Sequence, residues 1–393
     1  MEYDDDYKLS MNAIIDEIKH KPLDELSEDS RQIVEKIYKD ITSGIKFAER
    51  IVTEANIKLL TGNKMIYPVR VKFMSSEIYL DISNNMIEQI IFSCDMNSRY
   101  VTITIGIMRN NQIKMEELIL SVKRTISWLF VCDKYTSNDD SKTRTVSLYF
   151  TGIKRAFPNN NSVMLDPSNV NGGVSYTEEV NSSNITVYRY EEWFKVFVHE
   201  CGHSYGFESH NLIGDQLYEF TKKLISIEVS DRIGEAYVET WARIILVFYS
   251  AIENSIDYDD FMLPFKFNMK VESIFSAIQS FRVLAFMRIP YRDVITSTST
   301  VGKKYKETTN IFSYFILCGA FMQDPFKFMN LCNTYNKNLF HINNVEKFKE
   351  YIKTMLYNKN YEALMEKFAH LANRKTGLRF TITELPKKLT SKQ

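Results

Sequence analysis

Three of the six histidines in this 393-residue chain fall within thirteen positions, VHECGHSYGFESH at 198–210, with a glutamate directly after the first. Residues four apart on an α-helix lie one above the other, about 6 Å along the axis. His199 and His203 can therefore aim their imidazoles at one point, where each would reach a zinc ion at about 2.0–2.1 Å. Glu200 is rotated to the edge of that face. It can meet a water on such an ion without ligating it, which suits a general base. The chemistry expected of this trio is hydrolysis at a site holding one zinc ion per chain. Such a site requires a third protein ligand and one open coordination position.

A helix must carry the trio. Trp193, Phe194, Phe197, Val198 and Cys201 make its other faces apolar, so EEWFKVFVHECGHSYG reads as a buried rod, with Glu191 and Glu192 favouring its N-terminal end. The plain alternative is a core helix with two incidental histidines. Further along, DRIGEAYVETWARI sets Glu235 and Glu239 four apart on a second predicted helix. The neighbours Ala236, Tyr237, Val238, Trp241 and Ala242 are too apolar for that helix to be fully solvated. Tyr314, Asn310 and Tyr237 qualify by type alone as donors to a developing oxyanion, and nothing in the pattern selects among them.

The rest of the chain is ordinary globular material, with 45% apolar and 25% charged residues, enough for two or three packed subdomains. Lysine plus arginine equals aspartate plus glutamate at 49 each, so there is no bulk positive field for phosphate backbones or anionic membranes. No nucleic-acid partner is expected, and the basic PKKLTSK near the C-terminus reads as a solvated tail. The acidic start, MEYDDDYKLS, is unlike a secretory signal. The longest apolar stretches, IILVFYSAI and IFSYFILCGAFM, fall short of the ~18–20 residues of a membrane span and read as buried helices. An intracellular, cytoplasmic protein without a transmembrane segment is expected. Five scattered cysteines with no CxxC pair argue against a disulfide framework or a cysteine-ligated zinc. The richness in Ile, Asn, Lys, Tyr and Phe fits an AT-biased genome such as that of a large DNA virus or a parasite.

Periodicity divides the chain. Residues 1–62 read as helices, with capping-type Ser and Asp before a long amphipathic run. From about residue 64, KMIYPVRVKF, SEIYLDIS, IEQIIFSC and RYVTITIGIM read as strands. KMEELILSVKRTISWLFVCDKY is a helix, TRTVSLYFTGI a strand, and NGGVSYT and NITVYRY two short strands that run into the histidine helix. After Gly206 helices dominate, at roughly 212–229, 231–254, 258–288, 307–334 and 344–372, with a Ser/Thr-rich link at 296–304. LRFTITEL is expected to close the chain as a strand.

HECGH resembles the zinc-binding motif of the zincin metallopeptidases, and the resemblance covers roughly residues 115–250. KMEELILSVKRTISWLF corresponds to the backing helix, TRTVSLYF to a central strand, and NGGVSYT or NITVYRY to the edge strand that binds extended substrate. Gly172 and Gly173 would let a substrate backbone come close there, or simply make a hairpin turn. Glu235 and Glu239 look like the gluzincin, thermolysin-like arrangement. The resemblance implies an α+β, zincin-like fold: a mixed sheet with a backing helix and an HExxH helix, then a mostly helical C-terminal subdomain. It implies Glu235 as the third zinc ligand, Glu239 as the partner that holds His199 in its tautomer, Glu200 as the base, and a peptide or protein substrate. The metzincin branch, HExxHxxGxxH, matches Gly206 but meets Ser209 where its third ligand belongs; His210 comes one residue late, and no Met-turn follows. The regions expected are a helical N-terminal region at 1–62, an α/β zincin subdomain at 63–210 and a helical subdomain at 211–393 carrying the third ligand. The function expected is that of a zinc-dependent metallopeptidase. The alternatives are a catalytically silent zincin-like module in a larger assembly and a metal-dependent hydrolase of non-peptide amides.

Overall fold

The computed structural model of the chain describes residues 5–387 other than 20–22, 24, 69–72, 112, 137–141, 161–162, 177–181, 209–210, 231, 297–303 and 372–376. The fold is α+β. Its strands are β1 (Lys58–Thr61), β2 (Met86–Met96), β3 (Arg99–Met108), β4 (Thr143–Tyr149), β5 (Gly173–Tyr176) and β6 (Ser182–Val187). They form one mixed sheet in the order β1-β2-β3-β4-β6-β5. β1, β2 and β3 are antiparallel neighbours. β4 runs parallel to β3, β6 parallel to β4, and β5 returns antiparallel along the outer edge of β6. Asn97 and Ser98, both left-handed, make the tight turn of the β2–β3 hairpin.

A parallel step needs a long crossover, and α4 (Met115–Tyr135) supplies it between β3 and β4. Ahead of the sheet come α1 (Asp5–Lys19), α2 (Glu28–Ile51) and α3 (Ser76–Asn85). The short α5 (Pro167–Val170) precedes β5, and α6 (Trp193–Ser204) follows β6 and packs on β5, β6 and α4. The helical half comprises α7 (Asn211–Lys222), α8 (Gly234–Glu253), α9 (Tyr258–Met287) and α10 (Tyr291–Ile295). A π-helical turn (Phe312–Leu317) then leads into α11 (Cys318–Phe321), α12 (Pro325–Tyr335), α13 (Val345–Leu356) and α14 (Lys359–Lys367). α8 is buried along its whole length, between α6 and α9. Its close approach to α6 depends on Gly202, where a Cβ would come within 2.4 Å of Val238 Cγ1. One apolar core unites residues of α2, α4, the sheet, α6, α8 and α13. Among the described residues no helix is long and apolar enough to cross a membrane, and all five cysteines are free thiols.

Several elements differ from the periodicity. SEIYLDIS is helical in α3, because Ser75 caps it through Ile78 N, Glu77 lies in its first turn, and Ile78 and Ile82 bury one helical face. KMIYPVRVKF contributes no strand among its described residues; its Ile66 backbone bonds to the Gln89 side chain instead of to a neighbouring strand. The strand β1 lies in KLLT, which reads as the tail of a helix. The helix expected over 307–334 is broken at Asp324–Pro325, where Asp324 caps a new helix. LRFTITEL is a buried, irregular strap, because its backbone N–H groups bond to two buried glutamates and not to a strand: Phe380 and Thr381 to Glu192, Ile382 and Thr383 to Glu272. Most of the link at 296–304 and most of PKKLTSK lie outside the described residues.

Candidate metal centre

α6 presents His199 and His203 on one face, as spacing of four requires, and α8 brings Glu235 opposite them. His199 Nε2 and His203 Nε2 are 3.0 Å apart, and each lies 3.1 Å from Glu235 Oε2. A tetrahedral zinc ion with ~2.0–2.1 Å bonds sets its ligand atoms about 3.3 Å apart. The two nitrogens and one oxygen thus converge at a spacing such an ion fits with a small adjustment. These are the residues able to share a metal ion among the described histidine, cysteine and acidic side chains. All are largely removed from water, with His199 6% and Glu235 4% exposed. Burial alone would raise the Glu235 carboxyl, but the two imidazoles hold it well below its usual range.

Each imidazole turns its other nitrogen toward a carboxylate. Glu239 Oε2 lies 3.0 Å from His199 Nδ1, although the approach is bent away from good hydrogen-bond geometry. Glu208 Oε1 lies 2.6 Å from His203 Nδ1. This orientation leaves Nε2 of both rings free to ligate, the tautomer a metal needs. Glu239 is fully buried and compensated by two cations: Lys195 Nζ at 2.7 and 2.9 Å and Arg243 Nε at 3.0 Å. Burial would raise its carboxyl, but Lys195, His199 and Arg243 hold it below the usual carboxylate range. Asn310 Nδ2 donates to the remaining oxygen of Glu235 at 3.0 Å.

Glu200 sits beside this cluster and lines, with β5, residues 228–230, Arg232 and residues 305–310, a cleft of about 740 Å³. Burial pushes its carboxyl above the ordinary value, with His199 and His203 pulling against that shift. A raised carboxylate is the stronger base. Gly173 allows β5 to lie this close to α6: a Cβ there would come within 2.7 Å of Val196 Cγ1 and 3.0 Å of Glu200 Cγ. Tyr314, on the π-helical turn, faces the same cleft, its ring 5.8 Å from that of His199.

The structure brings together His199, Glu200, His203, Glu235 and Glu239. Ser209 and His210, on which the metzincin alternative depends, lie outside the described residues. Of the three possible oxyanion donors, Tyr314 and Asn310 line the cleft, whereas Tyr237 Oη donates to Phe340 O in the core. Glu192 occupies the N-cap position of α6 with a left-handed backbone, φ 58°, but its side chain makes no cap bond; its carboxylate accepts from Arg155 and from the strap. Sequence reasoning missed Lys195, Glu208 and Arg243. Lys195 lies four residues before His199, and Arg243 four after Glu239, so helical spacing carried a signal for both. Comparison with protein-family models, with curated proteins and with solved structures finds no match for this chain.

Proposed function

We propose that the chain is a zinc-dependent metallopeptidase of the gluzincin type, with His199, His203 and Glu235 as ligands. The observation that carries this reading is the convergence of three donor atoms within 3.0–3.1 Å beside a buried glutamate that ligates nothing. Bound zinc would supply Lewis-acid polarisation of the scissile carbonyl and lower the pKa of a water molecule. An extended peptide lies along the free edge of β5, which offers main-chain groups to it. Glu200 takes a proton from the attacking water and delivers it to the leaving nitrogen. Tyr314 donates a hydrogen bond to the oxygen that gains charge; burial pushes its phenol well above the ordinary value, so it remains a donor at neutral pH. Glu239, Glu208 and Asn310 hold the ligands in place.

The test is zinc content together with cleavage of a broad peptide library by the wild type and Glu200→Gln. About one zinc per chain in both proteins is expected, with cleavage reduced by ~10² to 10⁴ or more in the variant. Wild-type protein that binds zinc and cleaves nothing would support a silent binding module instead. Equal cleavage by both proteins would remove Glu200 from the mechanism.

A further inference from the structure

The strap at 378–386 has no regular structure, yet Leu378, Thr381 and Ile382 are fully buried. Two internal carboxylates hold it. Glu192 accepts from Phe380 N at 2.9 Å and Thr381 N at 2.6 Å, and Glu272 accepts from Ile382 N at 2.9 Å and Thr383 N at 2.6 Å. At the first of these anchors the ring of Phe380, 3% exposed, meets three cations: Lys195 Nζ is 3.9 Å from its centroid, and the Arg155 and Arg243 guanidinium carbons are 4.9 and 5.9 Å away. A cation held over a ring face is attracted by the ring quadrupole, most strongly where water is excluded.

Lys195 is the contact that matters, because it links the ring to the ligands. Its ammonium donates to both oxygens of Glu239, and Glu239 faces Nδ1 of His199. The line thus runs from Phe380 through Lys195 and Glu239 to His199, its last step a 3.0 Å approach of charge to ring nitrogen and not a well-formed hydrogen bond. A lysine has three donor hydrogens; two face Glu239, and the ring covers the ammonium from another side. Removing the ring leaves the ammonium free to turn, and Arg243 becomes the one donor still fixing Glu239 among the described contacts.

We propose that Phe380 is a positioning residue for the metal centre, acting through Lys195 and Glu239 on the orientation of His199. The proposal rests on His199 being a metal ligand, as in the function proposed above. Phe315 provides the control. It stacks on Phe380 at 4.7 Å and belongs to the same apolar cluster, but no cation lies over its ring among the described contacts.

Zinc dissociation constants should be measured by chelator competition, with thermal unfolding in parallel, for wild type, Phe380→Leu, Phe315→Leu, Lys195→Met, Lys195→Arg and the Phe380→Leu/Lys195→Met double variant. Both leucine variants are expected to lower the melting temperature. Phe380→Leu weakens zinc binding about 10-fold, in the range of partners that orient a ligand, whereas Phe315→Leu changes it less than about 2-fold. Lys195→Met weakens binding by about as much as Phe380→Leu, the double variant no further, and Lys195→Arg restores most of the affinity. Equal zinc affinities for the two leucine variants, or additive losses in the double variant, would overturn the relay. Should Phe380→Leu fail to fold, unchanged affinity in Lys195→Met would overturn it alone. A wild type that binds no zinc rejects the metal site itself, which distinguishes that failure from failure of the relay.

Discussion

His203 Nδ1 lies 2.6 Å from Glu208 Oε1, on a chain that has turned back on itself at Gly206, left-handed at φ 65°. The two histidines proposed as ligands therefore face carboxylates of different kinds. Glu239 is sealed in the core between Lys195 and Arg243, whereas the Glu208 side chain is 26% exposed. Glu208→Ala is expected to weaken zinc binding ~10- to 100-fold, and Glu208→Gln by less, since the amide oxygen still accepts from the imidazole. Chelator competition on the two variants checks this. Unchanged affinity in Glu208→Ala would show that His203 needs no orienting partner.

Glu235 provides the oxygen in the triangle of donors, so Glu235→Ala leaves two protein ligands. Its zinc affinity is expected to fall further than that of any other carboxylate variant, with Glu239→Ala intermediate at ~10- to 100-fold. His199→Ala and His203→Ala should each lose the metal, and His341→Ala and His370→Ala should keep it. If His210→Ala proves more damaging than Glu235→Ala, the third ligand is wrongly assigned.

The contact between α6 and α8 should be sensitive to a single methyl group. Gly202→Ala places a carbon where Val238 already sits, and overpacking of this kind costs about 1–3 kcal/mol. Because the proposed ligands stand on these two helices, the same change should weaken zinc binding as well as lower the melting temperature. Gly202→Ala combined with Val238→Ala is expected to recover part of both.

All three bonds that Glu272 accepts from the strap fall on one oxygen, Oε1, and its Oε2 has no hydrogen-bond partner among the described residues. Burial raises its carboxyl, against the pull of Thr381, Thr383 and Arg243. A folded value above the unfolded one means that the protonated native state is favoured. That stability is fully present below about pH 4.5, the ordinary value, and is lost as the pH rises through the raised one. Glu272→Gln keeps the accepting oxygen and cannot ionise. The difference in urea stability between variant and wild type, both metal-free, should therefore increase in favour of the variant from pH 4.5 to 7.5. A pH-independent difference would show that the wild-type group does not titrate there.

Much of the centre was legible in the sequence because helices impose their own spacing. His199, Glu200 and His203 follow from one turn of α6, and Glu235 and Glu239 from one turn of α8. Apolar neighbours announced that both helices are buried. What could not be read comes from contacts between distant segments. Asn310 reaches Glu235 and Phe380 reaches Lys195 only through tertiary packing. α3 was misread because Ser75 as a cap outweighs the β-branched residues that follow it. The strap was misread because its alternating pattern is satisfied by carboxylates where a strand would use a neighbouring backbone.

The bonds from Glu192 to Phe380 and Thr381 join residues 188 and 189 positions apart. Synthesis at ~5–20 residues per second separates the two ends of such a bond by roughly 10 to 40 s. During that interval the HECGH segment has been made and the aromatic ring that covers Lys195 has not. A nascent chain already carrying every expected ligand thus still lacks part of the surroundings of His199. The order of the residues along the chain delays completion of these surroundings until residue 380 has been made.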